Sequence, residues 1–127
     1  MIYIGFLLFV LAGLCEAIMD ILQFHYDISI FKNFKNQLFW NPQISWKNKY
    51  RDGDPLNGEK FFLSKSLFVG LTDAWHLFKL LRTLFIFSGI YFIFVPCASN
   101  MSCLMYVIFA RILFGVSFTF FYNILED

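Results

Sequence analysis

Charge is what this chain has least of. Only 15% of its 127 residues are Asp, Glu, Lys or Arg, against about 25% in an ordinary soluble domain. A soluble domain of this length would have too little polar surface to cover its core. Two histidines rule out the histidine-rich boxes of membrane hydroxylases and desaturases. Three cysteines with no C-x-x-C pair exclude a disulfide scaffold and a zinc ribbon. There is no G-x-S-x-G and no P-loop. The stretch Arg51-Asp52-Gly53-Asp54 is a turn rather than a phosphate cradle. Asp52 to Glu59, D-G-D-P-L-N-G-E, has a calcium-loop flavour but lacks the twelve-residue spacing with its terminal Glu. A solvated turn is the better reading.

What is present in excess is apolar. The composition is 59% hydrophobic and 22% aromatic, with 19 Phe, so the bilayer is the natural solvent. Three spans are expected, at about residues 2–23, 77–95 and 103–124, each long enough for a ~30 Å hydrocarbon core. The first lacks a positive n-region and a small-x-small cleavage site, so it reads as an uncleaved helix rather than a signal peptide. L-A-G-L-C is a poor lipoprotein box, because Leu14 stands where a small residue belongs. Residues 24–63 form a long loop in which Trp40, Trp46 and Tyr50 sit beside Lys47, Lys49 and Arg51. That mixture suits the headgroup level of a membrane. Asn41-Pro42 and R-D-G-D-P-L-N-G break any helix there. Residues 64–76 are expected to form an amphipathic interfacial helix capped by Ser64 or Ser66, with Lys79 and Arg82 snorkelling to the surface. Pro96 ends the second span. The second and third spans are then expected to form a helical hairpin.

Seven of the ten basic residues fall between Lys32 and Lys65, and the Cys97–Ser102 turn has none. The positive-inside rule therefore puts the long loop and the C-terminus in the cytoplasm and the N-terminus outside. That loop is too mixed in sign, and the chain too apolar, for a nucleic-acid partner. Cys97 and Cys103 flank the short turn and could pair if it faces an oxidising compartment. Two reduced small side chains are the default expectation.

The polar residues inside these spans are the candidate site. Glu16, Asp20, Gln23 and Asp27 fall within roughly 60° of one another on a helix. A carboxylate in hydrocarbon costs about 2.5–3.5 kcal/mol even on lenient scales, so this stripe requires partners. Glu16 is the deepest acid and Arg111 the only deep base, which predicts an intramembrane ion pair joining the first and third spans. Asp20, Asp73 and His76 are expected to cluster nearer the cytoplasmic face, joined by His25 if the first helix bends near Gln23. Carboxylates and imidazoles on facing helices are the parts of a divalent-metal site, so Asp20, His25, Asp73 and His76 are the candidate ligands. A hydrogen-bond network that includes Lys79, or an acid–base pair built on His76, are the other readings of the same residues. Gly115, one turn after Arg111, would allow close approach of another helix.

Three segments, N-P-Q-I-S-W-K-N-K-Y (41–50), E-K-F-F (59–62) and L-T-D-A-W-H-L-F (71–78), resemble stretches of small bacterial integral-membrane proteins. The resemblance covers about a third of the chain. It implies a bacterial inner membrane and carries no chemistry.

The sequence thus predicts an all-α integral membrane protein with three spans, an interfacial helix and a long cytoplasmic loop. The leading function is a non-catalytic subunit or scaffold of a membrane complex, as a homo-oligomer or with other membrane subunits. The rivals are a metal-dependent or lipid-modifying enzyme with a carboxylate/His site at the cytoplasmic face, and a channel or transporter component.

Overall fold

Three long helices carry most of the chain: α1 (Ile2–Phe24), α4 (Ala74–Phe94) and α5 (Asn100–Leu125). Between α1 and α4 lie two one-turn helices, α2 (Gln37–Trp40) and α3 (Pro42–Ser45), and several 3-10 turns. The computed structural model describes residues 1–97 and 99–126. Ala98 of the short turn and the terminal Asp127 lie outside the described residues. The only strand-like pairings among the described residues are two isolated bridges, Ser29 with Glu126 and Tyr50 with Glu59. All three long helices are long and apolar enough to cross a membrane, and their bounds lie within three residues of those expected from the sequence.

Helix α1 lies between the other two, antiparallel to α4 and parallel to α5. The small residues of α1 permit this. A Cβ added at Gly5 would come within 2.7 Å of Ile93 and 3.0 Å of the Gly89 carbonyl on α4. One added at Gly13 would come within 2.5 Å of the Phe114 carbonyl on α5. Ala12, Cys15 and Ala17 are buried beside them. Backbones that approach this closely gain dispersion contact that larger side chains would prevent. Ser117 completes the α5 contact by donating its hydroxyl to the Val10 carbonyl at 2.7 Å.

The expected hairpin of the second and third spans is therefore splayed. Helices α4 and α5 are consecutive in the chain, yet α1 separates them over most of their length. At their joined end Cys97 and Cys103 form a disulfide with Cα atoms 5.6 Å apart, so the reduced default for this pair is corrected. Cys15 alone is free, and it is buried. Ser99 starts α5 with a reciprocal capping box to Ser102, the arrangement that satisfies two orphan N-terminal donors.

The opposite end, here called the loop end, gathers the C-termini of α1 and α5, the N-terminus of α4 and the long loop. The loop is folded beneath the helices. Phe31 stacks on Trp40 at 5.1 Å, and both pack with Phe78 of α4 against Ile18, Ile21 and Leu22 of α1. Tyr26 anchors this cluster by donating its hydroxyl to the Gln37 side chain. Burial raises the Tyr26 phenol above its ordinary value, and the Gln37 hydrogen bond works against that rise.

The interfacial helix expected over 64–76 is absent. Residues 64–72 form turns, with one 3-10 turn at Val69–Leu71, and Leu63 before them has φ +56°. Ser64 does not cap a helix; its hydroxyl donates to the Lys49 carbonyl at 2.8 Å. Asp73 takes the capping role instead, accepting the His76 backbone N–H at 2.9 Å. Asp is among the best N-caps, and starting α4 at Ala74 brings Lys79 and Arg82 inside the long helix. Asn41 is likewise a cap rather than a simple breaker, with Pro42 at the first position of α3, where its missing N–H costs nothing.

Candidate functional site: a charged layer across three helices and an Asp–His pair at the loop end

Glu16 pairs with Arg82, not with Arg111. The Arg82 guanidinium donates through Nη1 to Glu16 Oε2, with both side chains about a quarter exposed. Depth explains the choice. Glu16 is eight residues before the end of α1, and Arg82 is eight residues after the start of the antiparallel α4. Both stand ~12 Å from the loop end. Arg111 is fourteen residues before the end of α5, ~21 Å away by helix rise. The ion pair expected between Glu16 and Arg111 is corrected accordingly.

Arg111 nevertheless reaches toward the same layer. Its guanidinium lies 5.1 Å from the Phe114 ring centroid, and Nη1 passes 3.6 Å from the place where a Gly115 Cβ would be. Glu16, Asp20, Arg111, Phe114, Gly115 and Phe118 border one open cleft of about 230 Å³ between α1 and α5. Among the described residues no carboxylate forms an ion pair with Arg111, and Asp20 has neither an ion-pair nor a hydrogen-bond partner. Two acids and two bases thus stand on three helices with one pair made, and by helix rise Asp20, four residues before the end of α1, is ~6 Å from the loop end, well below Arg111.

The second cluster is at the loop end. Asp73 is 3% exposed. Its carboxylate lies 2.8 Å from His76 Nδ1 through either oxygen, 3.3 Å from the Thr72 hydroxyl and 3.6 Å from Lys49 Nζ. An ionised carboxylate only accepts, so His76 donates to it through Nδ1. Trp46, Lys49, Asp73, Trp75 and His76 border a cleft of about 170 Å³. Asn48 donates to the Thr72 carbonyl at 2.6 Å and accepts from Lys60, which ties the loop to the start of α4. Lys79 stays out of the network, 4.9 Å over the Trp75 ring.

Comparison with protein-family models, with curated proteins and with solved structures finds no match. The chemistry is therefore argued from these two places alone.

The four candidate metal ligands are not brought together. Asp73 and His76 pair with each other as helix cap and capped residue, and Asp20 faces the α1–α5 cleft. Helix α1 ends at Phe24, and His25 turns instead to Glu126, with Nδ1 2.9 Å from Oε1. Among the described residues no three His, Cys, Asp or Glu side chains converge as a ligand set. The D-x-x-H spacing has a local cause: it is the N-cap and third residue of a helix.

Two features escaped the sequence. One is Arg82 as the partner of Glu16. The other is the contact of Gly5 with Gly89 and of Gly13 with Ser117, whose signal was the run of small residues on α1.

Proposed function

We propose that this protein is a multi-pass integral membrane scaffold, a non-catalytic subunit of a bacterial inner-membrane assembly. The observation that carries the reading is Arg111. It is exposed on α5, near the middle of a helix long enough to span, and no carboxylate of the described chain neutralises it. A guanidinium left in hydrocarbon costs about 2.5–3.5 kcal/mol. Supplying its counter-charge from another polypeptide removes that cost and fixes helix pairing at once. The ion pair of Glu16 with Arg82 supports the same reading, because it uses charge to hold helices rather than to react.

The orientation follows the positive-inside rule, with the loop end cytoplasmic and the Cys97–Cys103 turn outside. A disulfide at that turn fits an oxidising exterior. The test is to extract the protein from bacterial membranes in mild detergent and determine the mass of the assembly. A stable species well above the 15.0 kDa of one chain is expected. A folded chain that runs alone in a bilayer mimetic refutes the reading.

A second reading is favoured by one observation, the contact of Asp73 with His76 at the mouth of a cleft. A carboxylate-held imidazole is the arrangement of a general base. At headgroup level it would act on lipid esters or phosphates. Turnover of a lipid substrate that His76→Asn abolishes, with the fold retained, would establish it.

A further inference from the structure

We propose that a cleft between the 66–70 turn and α4 binds an anionic phospholipid, with its phosphate on Lys79 and an acyl chain along the outer face of α4. The ligand is a lipid rather than a protein, no turnover is required of it, and the site is independent of the scaffold reading. The cleft has a volume of about 310 Å³. Ser66, His76 and Lys79 border it with polar groups, and Leu67, Val69 and Leu80 with apolar ones. The turn rests directly on α4. Gly70 is buried, and a Cβ built on it would lie 3.5 Å from the Leu77 Cα.

Depth orders these groups as a phospholipid requires. Side chains on a helix lean toward its N-terminus, which for α4 is the loop end. The Lys79 ammonium accordingly sits 4.9 Å over the Trp75 ring, one turn nearer that end. Interfacial tryptophans lie at headgroup level, so the cation meets a phosphate there. Leu80 stands deeper, and Leu84, Phe87 and Tyr91 continue its face along α4 with 51%, 67% and 60% exposure. From Leu80 to Tyr91 the rise is ~16 Å, about half of a ~30 Å hydrocarbon core. Charge selects the headgroup. Between Lys60 and Thr83 the sole acid is Asp73, which is 3% exposed and already held by His76 and Lys49. Lys65 and Lys79 lie over the Tyr50 and Trp75 rings, and among the described residues neither has a carboxylate partner. The exposed charge around the cleft is therefore cationic and favours a net-negative phosphodiester over a zwitterionic headgroup.

The experiment titrates the detergent-solubilised full chain with phosphatidylglycerol or phosphatidylcholine and counts retained lipid by native mass spectrometry. Wild type should hold phosphatidylglycerol about fivefold more strongly, the worth of one basic side chain at a negative surface. Lys79→Gln should lose that preference and Lys79→Arg should keep it. Leu67→Asp, at a position 69% exposed, puts a like charge beside the phosphate and should weaken phosphatidylglycerol binding as much. Lys35→Gln alters a loop lysine that does not border the cleft and should change nothing. Glycerol phosphate carries a phosphate anion without an acyl chain and should not compete.

Equal retention of the two lipids by the wild type overturns the proposal, as does an unchanged preference in Lys79→Gln. Should Lys79→Gln fail to accumulate, Leu67→Asp carries the same test at an exposed position. A loss shared by Lys35→Gln means diffuse attraction to the basic loop and overturns the site. Competition by glycerol phosphate as strong as that of the lipid makes this a free-phosphate site and overturns the lipid. The mass of the assembly is not read in any of these outcomes, so the scaffold reading stands or falls separately.

Discussion

Gly13→Ala should loosen the contact between α1 and α5. The added methyl would stand 2.5 Å from the Phe114 carbonyl oxygen and 3.0 Å from Cβ and Oγ of Ser117. The nearest of these atoms is backbone, so no rotamer change relieves the clash. Reaching ordinary contact at 3.4 Å needs a separation of ~0.9 Å, the kind of shift that overpacking forces on a close-packed interior. That movement also stretches the Ser117 hydroxyl away from the Val10 carbonyl, now 2.7 Å apart. Overpacking costs about 1–3 kcal/mol, and an interhelical hydrogen bond in a membrane is worth about 0.6 kcal/mol. The better helix propensity of Ala returns at most ~1 kcal/mol. The expected net loss is about 1–2 kcal/mol, read as a lowered midpoint when the detergent-solubilised protein is unfolded by SDS and followed by circular dichroism. Gly115→Ala is the control. Its added Cβ meets only Arg111 Nη1, at an ordinary 3.6 Å, so stability should hold or rise slightly. Equal midpoints for the two variants would refute the close approach of α1 and α5.

Arg82→Gln should destabilise by about 2 kcal/mol, between the ~0.2–1 kcal/mol of an exposed pair and the ~3–5 kcal/mol of stripping a buried one. The same unfolding assay reads it, and the exchange of Glu16→Arg with Arg82→Glu should restore more stability than Glu16→Arg with Arg111→Glu. Asp73→Ala removes the cap of α4 and should cost at least the ~1 kcal/mol typical of an N-cap, with Asp73→Asn milder because it still accepts the His76 N–H. A thermal melt in detergent that ranks the two variants the other way would contradict the capping role. Closing the short Cys97–Cys103 loop stabilises by about 2 kcal/mol on the chain-entropy view, so reductant should lower the melting temperature. A thiol reagent should label the folded protein only after reduction, since Cys15 is buried; two reactive thiols without reductant would contradict the disulfide.

The spans were legible because an unbroken apolar run has one physical reading, and their ends came from polar or helix-breaking residues such as Pro96. The need of Glu16 for a base was equally legible from the cost of a lone carboxylate. Which base answers it was not. That depends on where α4 starts, and its cap is Asp73 rather than the Ser64 or Ser66 that the sequence suggested. Moving the start from Ser64 to Asp73 abolished the interfacial helix, yet the helix beginning at Ala74 still carried Arg82 past the surface to the depth of Glu16. The order of helices across the bundle was also hidden. Sequence neighbours usually pack together, and nothing in the periodicity of α4 or α5 says that α1 stands between them. Asp73 with His76 was found as a pair, but the i, i+3 spacing serves a helix cap as well as a ligand set, and only the positions of Asp20 and His25 tell these apart.

Helix α1 leaves the ribosome some fifty residues before α4 begins, and synthesis is slow beside side-chain packing. The first helix must therefore wait with Glu16 unanswered until Arg82 arrives. The later pair then closes on it like a clasp whose hinge is the Cys97–Cys103 turn. A chain that built α4 and α5 without their central strut would hold two greasy rods apart over an empty slot. Assembly of this protein is thus directional in time, and its least protected moment falls during translation of the long loop.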